Sequence, residues 1–324
     1  MAGNLVFITG AAGFVGAHVV NAALEAGYRV RGSVRREAQI DQLKKQFGSK
    51  AAEFVLVRDI TQPDAYDGVL DGVDYIFHVA SPLPGQANDY KKALIEPAVL
   101  GTTTILEAAS KVPSIKRVVI TSSVVDLIHE SILVKGGAVV EDLEDEIHFD
   151  ADQDFPDSQT AYRASKVLAR QAAENFMAKR NPRFSMVSIH PVYIYGRNLL
   201  QSSPDQISGT NAALWLSLTG PEQRTSGETF VHVRDVAELQ IKASRPDIPS
   251  GERFLASGGK MDWDEAKAFV KEKYPSVQLG TSPEPQFKIP VDSSKAERVF
   301  GMKWRPWKEA VSEVVEQQLG ISKL

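Results

Sequence analysis

Short apolar runs alternating with stretches of helical period constrain this chain more than any other feature of it. The runs are LVFITG (5–10), RVRGSV (29–34), EFVLVRD (53–59), YIFHVAS (75–81), RVVITSS (117–123) and SMVSIH (185–190). Between them lie FVGAHVVNAALEAG, IDQLKKQFG, DYKKALIEPAVLGTTTILEAASKV and the stretch following Tyr162, all with the spacing of amphipathic helices. A strand that crosses through a helix to a parallel neighbour does so with one hand, and helices then cover both faces of the sheet. The pattern therefore predicts an α/β fold built on a doubly wound parallel sheet.

From Gly196 onward the text changes, becoming richer in Ser, Pro, Gly and Gln, with shorter patterned pieces. A strand near Phe230, a helix from Asp235, a strand at RFLAS and two helices, DWDEAKAFVKEKY and KEAVSEVVEQQLG, are expected. Residues 1–195 read as a nucleotide-binding domain, with 228–257 returning to it. Residues 196–324 read mainly as a smaller, partly interleaved substrate-binding lobe. The acidic stretch EDLEDEIHFDADQD (141–154) lacks the glycine turn and ligand spacing of a calcium loop, and reads as solvated.

Composition matters chiefly for what it excludes. With no cysteine among 324 residues, disulfides, thiolate catalysis and cysteine zinc sites are ruled out. A net charge of −4 without a basic patch argues against nucleic acid or an anionic membrane as partner. No signal-peptide pattern opens the chain and no run is long enough to span a bilayer. A cytoplasmic protein is expected, acting on a small molecule as a monomer or homodimer. The terminal Ser322-Lys323-Leu324 has the form of a peroxisomal address, which makes the peroxisome the alternative compartment.

The first strand ends in TGAAGFVG, where Gly10, Gly13 and Gly16 stand three apart and a helix begins. Glycines at such a junction permit a tight turn and let backbone N–H groups reach a pyrophosphate at the positive end of the helix. In this context the turn predicts a Rossmann dinucleotide site using Thr9, Gly10, Gly13, Phe14, Val15 and Gly16. The second strand ends in Val34, Arg35 and Arg36, not in the acid that would hold a ribose 2′-hydroxyl. Two guanidiniums suit a 2′-phosphate, so NADP(H) is the expected cofactor.

Tyr162 and Lys166 fall one turn apart on a single helix face, continued by Ala169 and Ala173. Small residues there would let another element approach closely. TSS (121–123) places hydroxyls at the carboxyl edge of the sheet, where open α/β folds bind ligands. These types suit carbonyl reduction, in which an alkoxide must be protonated. A free phenol with a pKa of about 10 is a poor donor unless positive charge lowers it. His78, His190 and His232 sit near strand ends without metal spacing, so they read as structural and no metal is expected.

Taken together, TGAAGFVG, TSS, YRASK, HPVYIYG, FVHVRDVA and SSKAERVFGMKWRPWKEAV resemble the dihydroflavonol-reductase-like branch of the extended short-chain dehydrogenase/reductases, over nearly the whole chain. This branch includes plant dihydroflavonol and cinnamoyl reductases and fungal aldehyde and ketone reductases. The resemblance implies that Ser123 orients the carbonyl, Tyr162 is the acid/base, and Lys166 binds the nicotinamide ribose and tunes Tyr162. It further implies that Asp59 and Ile60 flank the adenine, that Ala80, Ser81 and Pro82 line the cofactor cleft, and that Pro191 and Val192 border the nicotinamide. Two positions depart from the pattern. Leu100 stands where many relatives place a relay asparagine, and Ile128 stands about where plant dihydroflavonol reductases carry an asparagine. The second departure points to a more apolar ketone or aldehyde. Tyr193, Leu199 and Trp215 join Ile128 as candidate pocket residues, on a loop from 193 to 215 expected to cover the pocket. The reading is an NADPH-dependent carbonyl reductase, reversible as an alcohol dehydrogenase. Its rivals are a nucleotide-sugar epimerase or dehydratase of the same fold and a non-catalytic NADP-sensing regulator.

Overall fold

The structure is a computed structural model that describes residues 3–48, 51–129, 131–132, 137–142, 146–220, 227–281 and 289–320. The six expected strands are β1 (Leu5–Thr9), β2 (Arg29–Val34), β3 (Ala52–Leu56), β4 (Tyr75–His78), β5 (Arg117–Thr121) and β6 (Ser185–Pro191). With β9 (Arg253–Ala256) they form one seven-stranded sheet in the order β3-β2-β1-β4-β5-β6-β9. Every neighbouring pair in it is parallel. β1, β3, β4 and β5 end one to three residues before their apolar runs do, because the chain there peels off the carboxyl edge. β1 neighbours both β2 and β4, so the winding reverses between them and the loops diverge to open a crevice.

Alternation along β1 sends its side chains into two separate cores. Val6 and Ile8 pack with Val19, Val20 and Ala23 of α1 (Phe14–Glu25) and with Val236 and Leu239 of α6 (Val233–Ala243). Leu5 and Phe7 pack on the other face with Ile105 and Leu106 of α3 (Glu96–Ser110) and with Ala173 and Phe176 of α4 (Ser158–Arg180). A strand buried on both faces reads as a continuous apolar run, which is what LVFIT is. Each fully buried side chain of this size contributes about 1.5–3 kcal/mol, so the two layers fix the sheet's register against its helices. A further helix, α2 (Ala38–Phe47), packs beside β3.

The chain departs from expectation in three places. The stretch from 193 to 215 is not one loop. It contains β7 (Tyr193–Tyr195), paired parallel with β8 (Phe230–His232), and most of α5 (Gly209–Thr219). β7 and β8 join α5, α7 (Trp263–Lys273) and α9 (Trp307–Gln318) around a separate core of Tyr195, Leu214, Phe230, Trp263, Val270 and Val311. Ala296 and Phe300 of α8 (Ser294–Phe300), with Met302, instead fill the first core beside the sheet. Finally, Glu141 in the acidic stretch is buried and accepts a hydrogen bond from Leu255 N at 3.1 Å. It satisfies a donor on the sheet's outermost strand, so this residue is structural and not solvated. No helix among the described residues is long and apolar enough to cross a membrane. Ser322, Lys323 and Leu324 lie outside the described residues.

Candidate active site

The turn after β1 is shaped by backbone contact. Gly10 has φ +68°, and a Cβ there would meet the Ala80 backbone at 3.1 Å. Gly13 N donates to Gly10 O at 2.8 Å, and a Cβ on Gly16 would lie 2.0 Å from that same oxygen. Gly13 caps α1 without any side-chain acceptor, so the first-turn N–H groups of Phe14 and Val15 face the crevice unanswered by a side chain. Thr9 differs from expectation. Its buried hydroxyl accepts from Val79 N and Ala80 N, both at 3.0 Å, and so gives its proton to His78 Nδ1. The Thr9 side chain therefore holds the two loops together instead of facing a nucleotide.

Val34 is buried in the core, whereas Arg35 and Arg36 are exposed, and no carboxylate among the described residues pairs with either. The neighbouring Glu37 is turned to Arg58 at 3.0 Å. Asp59, past β3, accepts from Thr61 N, Thr61 Oγ1 and Gln62 Nε2, and these bonds hold its carboxyl below the usual range. Ile60 packs so closely on α3 that a Cβ at Gly101 would meet it at 2.8 Å. The crevice thus offers a bare helix end near a pair of free guanidiniums, and these donors fit a phosphorylated dinucleotide.

At the other side of the crevice, α4 begins at Asp157, whose carboxylate accepts from Gln159 N and Thr160 N, both at 2.8 Å. Tyr162 in the next turn is half-buried and lies beside Ser123, whose hydroxyl favours its phenolate and caps the short 3-10 turn Val124–Asp126 after β5. Lys166 is buried, with Nζ 5.6 Å from the Tyr162 ring centre and donating to Ser81 Oγ at 2.8 Å. Strand end, helix and loop therefore bring Ser123, Tyr162, Lys166 and Ser81 into one group. The electrostatics differ from expectation. Burial pushes Tyr162 up to about 12, opposed by the Ser123 hydroxyl and helped by nearby Asp126 and Tyr193. Burial pulls Lys166 down to about 8, against the attraction of Asp126. The protein by itself does not lower the phenol, because desolvation outweighs the help of the Ser123 hydroxyl.

The architecture is matched by comparison with known proteins. A model of the NAD dependent epimerase/dehydratase family matches residues 6–255, more than three quarters of the chain. The chain belongs to that family. Among its relatives in the family is the ketoreductase sphI of Aspergillus fumigatus, 39% identical over 98% of each chain. The crystal structure of yeast methylglyoxal/isovaleraldehyde reductase Gre2 complexed with NADPH superposes with a TM-score of 0.84, at 26% identity over 98% of each chain. Gre2 of Candida albicans, in complex with NADPH, gives 0.87 at 27% identity, over 99% of this chain and 100% of that one.

In this family member a buried polar group stands behind the Ser/Tyr/Lys set that the sequence did not reveal. Ser122 donates to Asp126 Oδ2 at 2.5 Å, and Asp126 Oδ1 lies 2.7 Å from His190 Nδ1. His190 Nε2 is 2.7 Å from Ser188 Oγ, and Arg170 Nε is 3.9 Å from Asp126. An aspartate inside the apolar run VVDLI was the available signal, since acids are rarely buried without partners. Of the pocket candidates, Tyr193 is half-buried, stacked on Tyr195 at 6.3 Å, and close enough to Tyr162 to disfavour its phenolate. A Cβ on Gly227 would lie 2.6 Å from the Tyr193 ring. Ile128 does not face the crevice: it is buried in a satellite core with Leu127, Val139 and Leu255. Leu199 is half-buried in the turn after β7, and Trp215 is half-buried against the lobe's core. Pro191 and Val192 are buried where β6 meets β7, and Pro82 is half-buried next to Ser81.

His232, Glu309 and Glu313 cluster as metal ligands might, with ligand atoms within 4.8 Å of one another. The position between the carboxylates is held by Arg234, whose Nη2 binds Glu309 and, at 3.0 Å, Glu313. His232 Nδ1 accepts from Arg234 N, which leaves its Nε2 as the protonated nitrogen, 3.1 Å from Glu313 Oε2. This group is a partly exposed ion-pair joint in which Glu309 and Glu313 of α9 meet Arg234 of α6 beside His232 of β8.

Proposed function

We propose that this chain is an NADPH-dependent carbonyl reductase, reversible as an alcohol dehydrogenase, that works with Ser123, Tyr162 and Lys166. The observation that carries the reading is that Ser123 at the strand end lies beside Tyr162, with Lys166 one turn on, at the edge of the glycine-turn crevice. The similarity to a ketoreductase and to an aldehyde reductase crystallised with NADPH supports it. Gly10, Gly13, Phe14, Val15 and Gly16 would hold the pyrophosphate, Arg35 and Arg36 the 2′-phosphate, Asp59 and Ile60 the adenine side, and Ser81, Pro82, Lys166, Pro191 and Val192 the nicotinamide side. Bound there, the cofactor supplies a hydride to the carbonyl carbon.

The protein's own residues do the rest. Ser123 donates to the carbonyl oxygen and stays bonded as negative charge grows on it, which favours the transition state over the ground state. Tyr162 gives its proton to that oxygen. The ammonium of Lys166 stabilises the phenolate left behind, an effect strengthened by burial. Tyr193 and Trp215 would border the carbonyl's substituents. A panel of aliphatic and aryl aldehydes and ketones, followed by NADPH absorbance and chiral chromatography, tests the reading. Turnover of several panel members with NADPH and markedly less with NADH is expected. Preference for NADH would overturn the role of Arg35 and Arg36.

A further inference from the structure

Lys166 must stay charged to do its work, yet it is only 5% exposed and the hydrogen bond described for its ammonium goes to neutral Ser81 Oγ. Behind it, between α4 and the strands β5 and β6, the structure holds a cavity of about 30 Å³, with Ala169 and Ala173 in its wall. The two acids lining that space are spent elsewhere. Glu174 accepts from Arg170 Nη1 at 2.8 Å and Arg253 Nη2 at 2.7 Å, and Glu252 pairs with Lys295 at 2.7 Å. β4 brings His78, which burial keeps uncharged, and α3 brings Thr102. An ammonium at this depth with no opposite charge near it would cost several kcal/mol.

Asp126 supplies that charge. It is fully buried at the end of the 3-10 turn that Ser123 caps, and the groups set against its carboxylate are donors. Ser122 Oγ donates to Oδ2 at 2.5 Å, His190 Nδ1 meets Oδ1 at 2.7 Å, and Arg170 Nε stands 3.9 Å away. Three donors suit a carboxylate, which can only accept. The other ring nitrogen of His190 is taken up by Ser188 Oγ at 2.7 Å. These partners come from three elements that frame the site. Ser122 follows β5, His190 precedes Pro191 in β6, and Arg170 lies one turn past Lys166 on α4. The charge is felt at both members of the Tyr/Lys pair, where it favours the ammonium of Lys166 and disfavours the phenolate of Tyr162. Tyr193 of β7 adds to the second effect.

We propose that Asp126 is a positioning residue for the reduction, a buried carboxylate that ties the ends of β5 and β6 together behind Ser123 and keeps Lys166 an ammonium. The proposal rests on the reading of Tyr162 as proton donor with Lys166 as its cationic neighbour. Asp126 acts through others, on Lys166 by charge and on the strand ends by the hydrogen bonds of Ser122 and His190. Arg170 competes with Lys166 for the same carboxylate. The two residues therefore work in opposite directions: Asp126 extends reduction to higher pH, and Arg170 restrains that extension.

Asp126→Asn removes the charge and keeps the shape, with an amide oxygen still open to Ser122 Oγ. The alkaline limb of the reductive kcat/KM should move from about pH 8 to about pH 7, with the plateau below about pH 6 within about threefold of wild type. A packing defect alone would lower the whole profile and leave its limb in place. His190→Asn keeps the carboxylate and offers it an amide donor, so its limb should stay at about pH 8. A folded Asp126→Asn protein with an unmoved limb overturns the proposal, as does a limb that moves equally far in His190→Asn. Should Asp126→Asn fail to fold, Arg170→Gln decides with the opposite sign: its limb should rise above about pH 8, and an unmoved or lowered limb overturns the proposal. Wild-type protein inert toward the whole carbonyl panel sinks the reductase reading and this one with it. Unmoved limbs in an active enzyme sink this one alone.

Discussion

Tyr162 holds its proton more tightly than a free phenol, at about 12, while Lys166 holds its own less tightly, at about 8. Both shifts come first from burial, which disfavours the charged form of each. A donor must be protonated, and Tyr162 is so throughout the neutral range. The Lys166 charge is present below pH 8 and lost above it. The reductive kcat/KM should therefore fall as pH rises through about 8, and in Lys166→Arg that limb should vanish from the range below pH 10. A pH–rate profile of both proteins checks this. Tyr162→Phe should lower kcat by about 10²–10⁴-fold, with NADPH affinity by fluorescence titration nearly unchanged. The Tyr162/Lys166 pair and the TSS strand end leave local marks in the sequence, whereas only the family resemblance singles out Ser123 within TSS. Asp126 and His190 were not, because their partnership joins residues 64 positions apart.

Elements tell the same story at the next scale. The parallel strands and α1, α3 and α4 could be read because burial on a regular face imposes a period. α5 could not: Ala213, Leu214, Trp215, Leu216 and Leu218 leave it apolar nearly all round, without a polar face to set a phase. β7 is three residues long and carries no period at all. The placing of Tyr162 in the first turns of α4 makes the cap of that helix part of the site. Asp157→Ala removes the acceptor for Gln159 N and Thr160 N and should cost about 1 kcal/mol of stability. Because fraying would begin next to Tyr162, a severalfold loss of kcat should accompany the lower Tm.

Across the whole molecule, the lobe is tied to the sheet by buried charge. Glu313, 3% exposed, binds Arg234 Nη2 at 3.0 Å and Arg197 N at 2.9 Å beside His232. Glu313→Ala takes one of Arg234's two carboxylates and the acceptor of Arg197 N, and should lower unfolding stability by about 1–3 kcal/mol in urea titrations. Acid should act through different residues. Burial lowers His78 to about 3 and His18 to about 4, so the unfolded chain binds these protons first. Stability should fall as pH drops from about 6.5 toward 4, by a few kcal/mol in total, and the fall should be shallower in His18→Gln.

The void beside Ala169 and Ala173 also bears on how this protein could be hardened. Filling internal space is a standard route to higher melting temperature, and each well-chosen substitution commonly yields about 0.5–2 kcal/mol. Applied blindly, that route would reach first for the helix behind Lys166, where larger aliphatics have room. The variants it selects would melt earlier, because a larger aliphatic there would press on the buried cations Lys166 and Arg170 and shut their donors away from water. Thermal hardening of this chain should begin in the lobe's own core and leave α4 hollow.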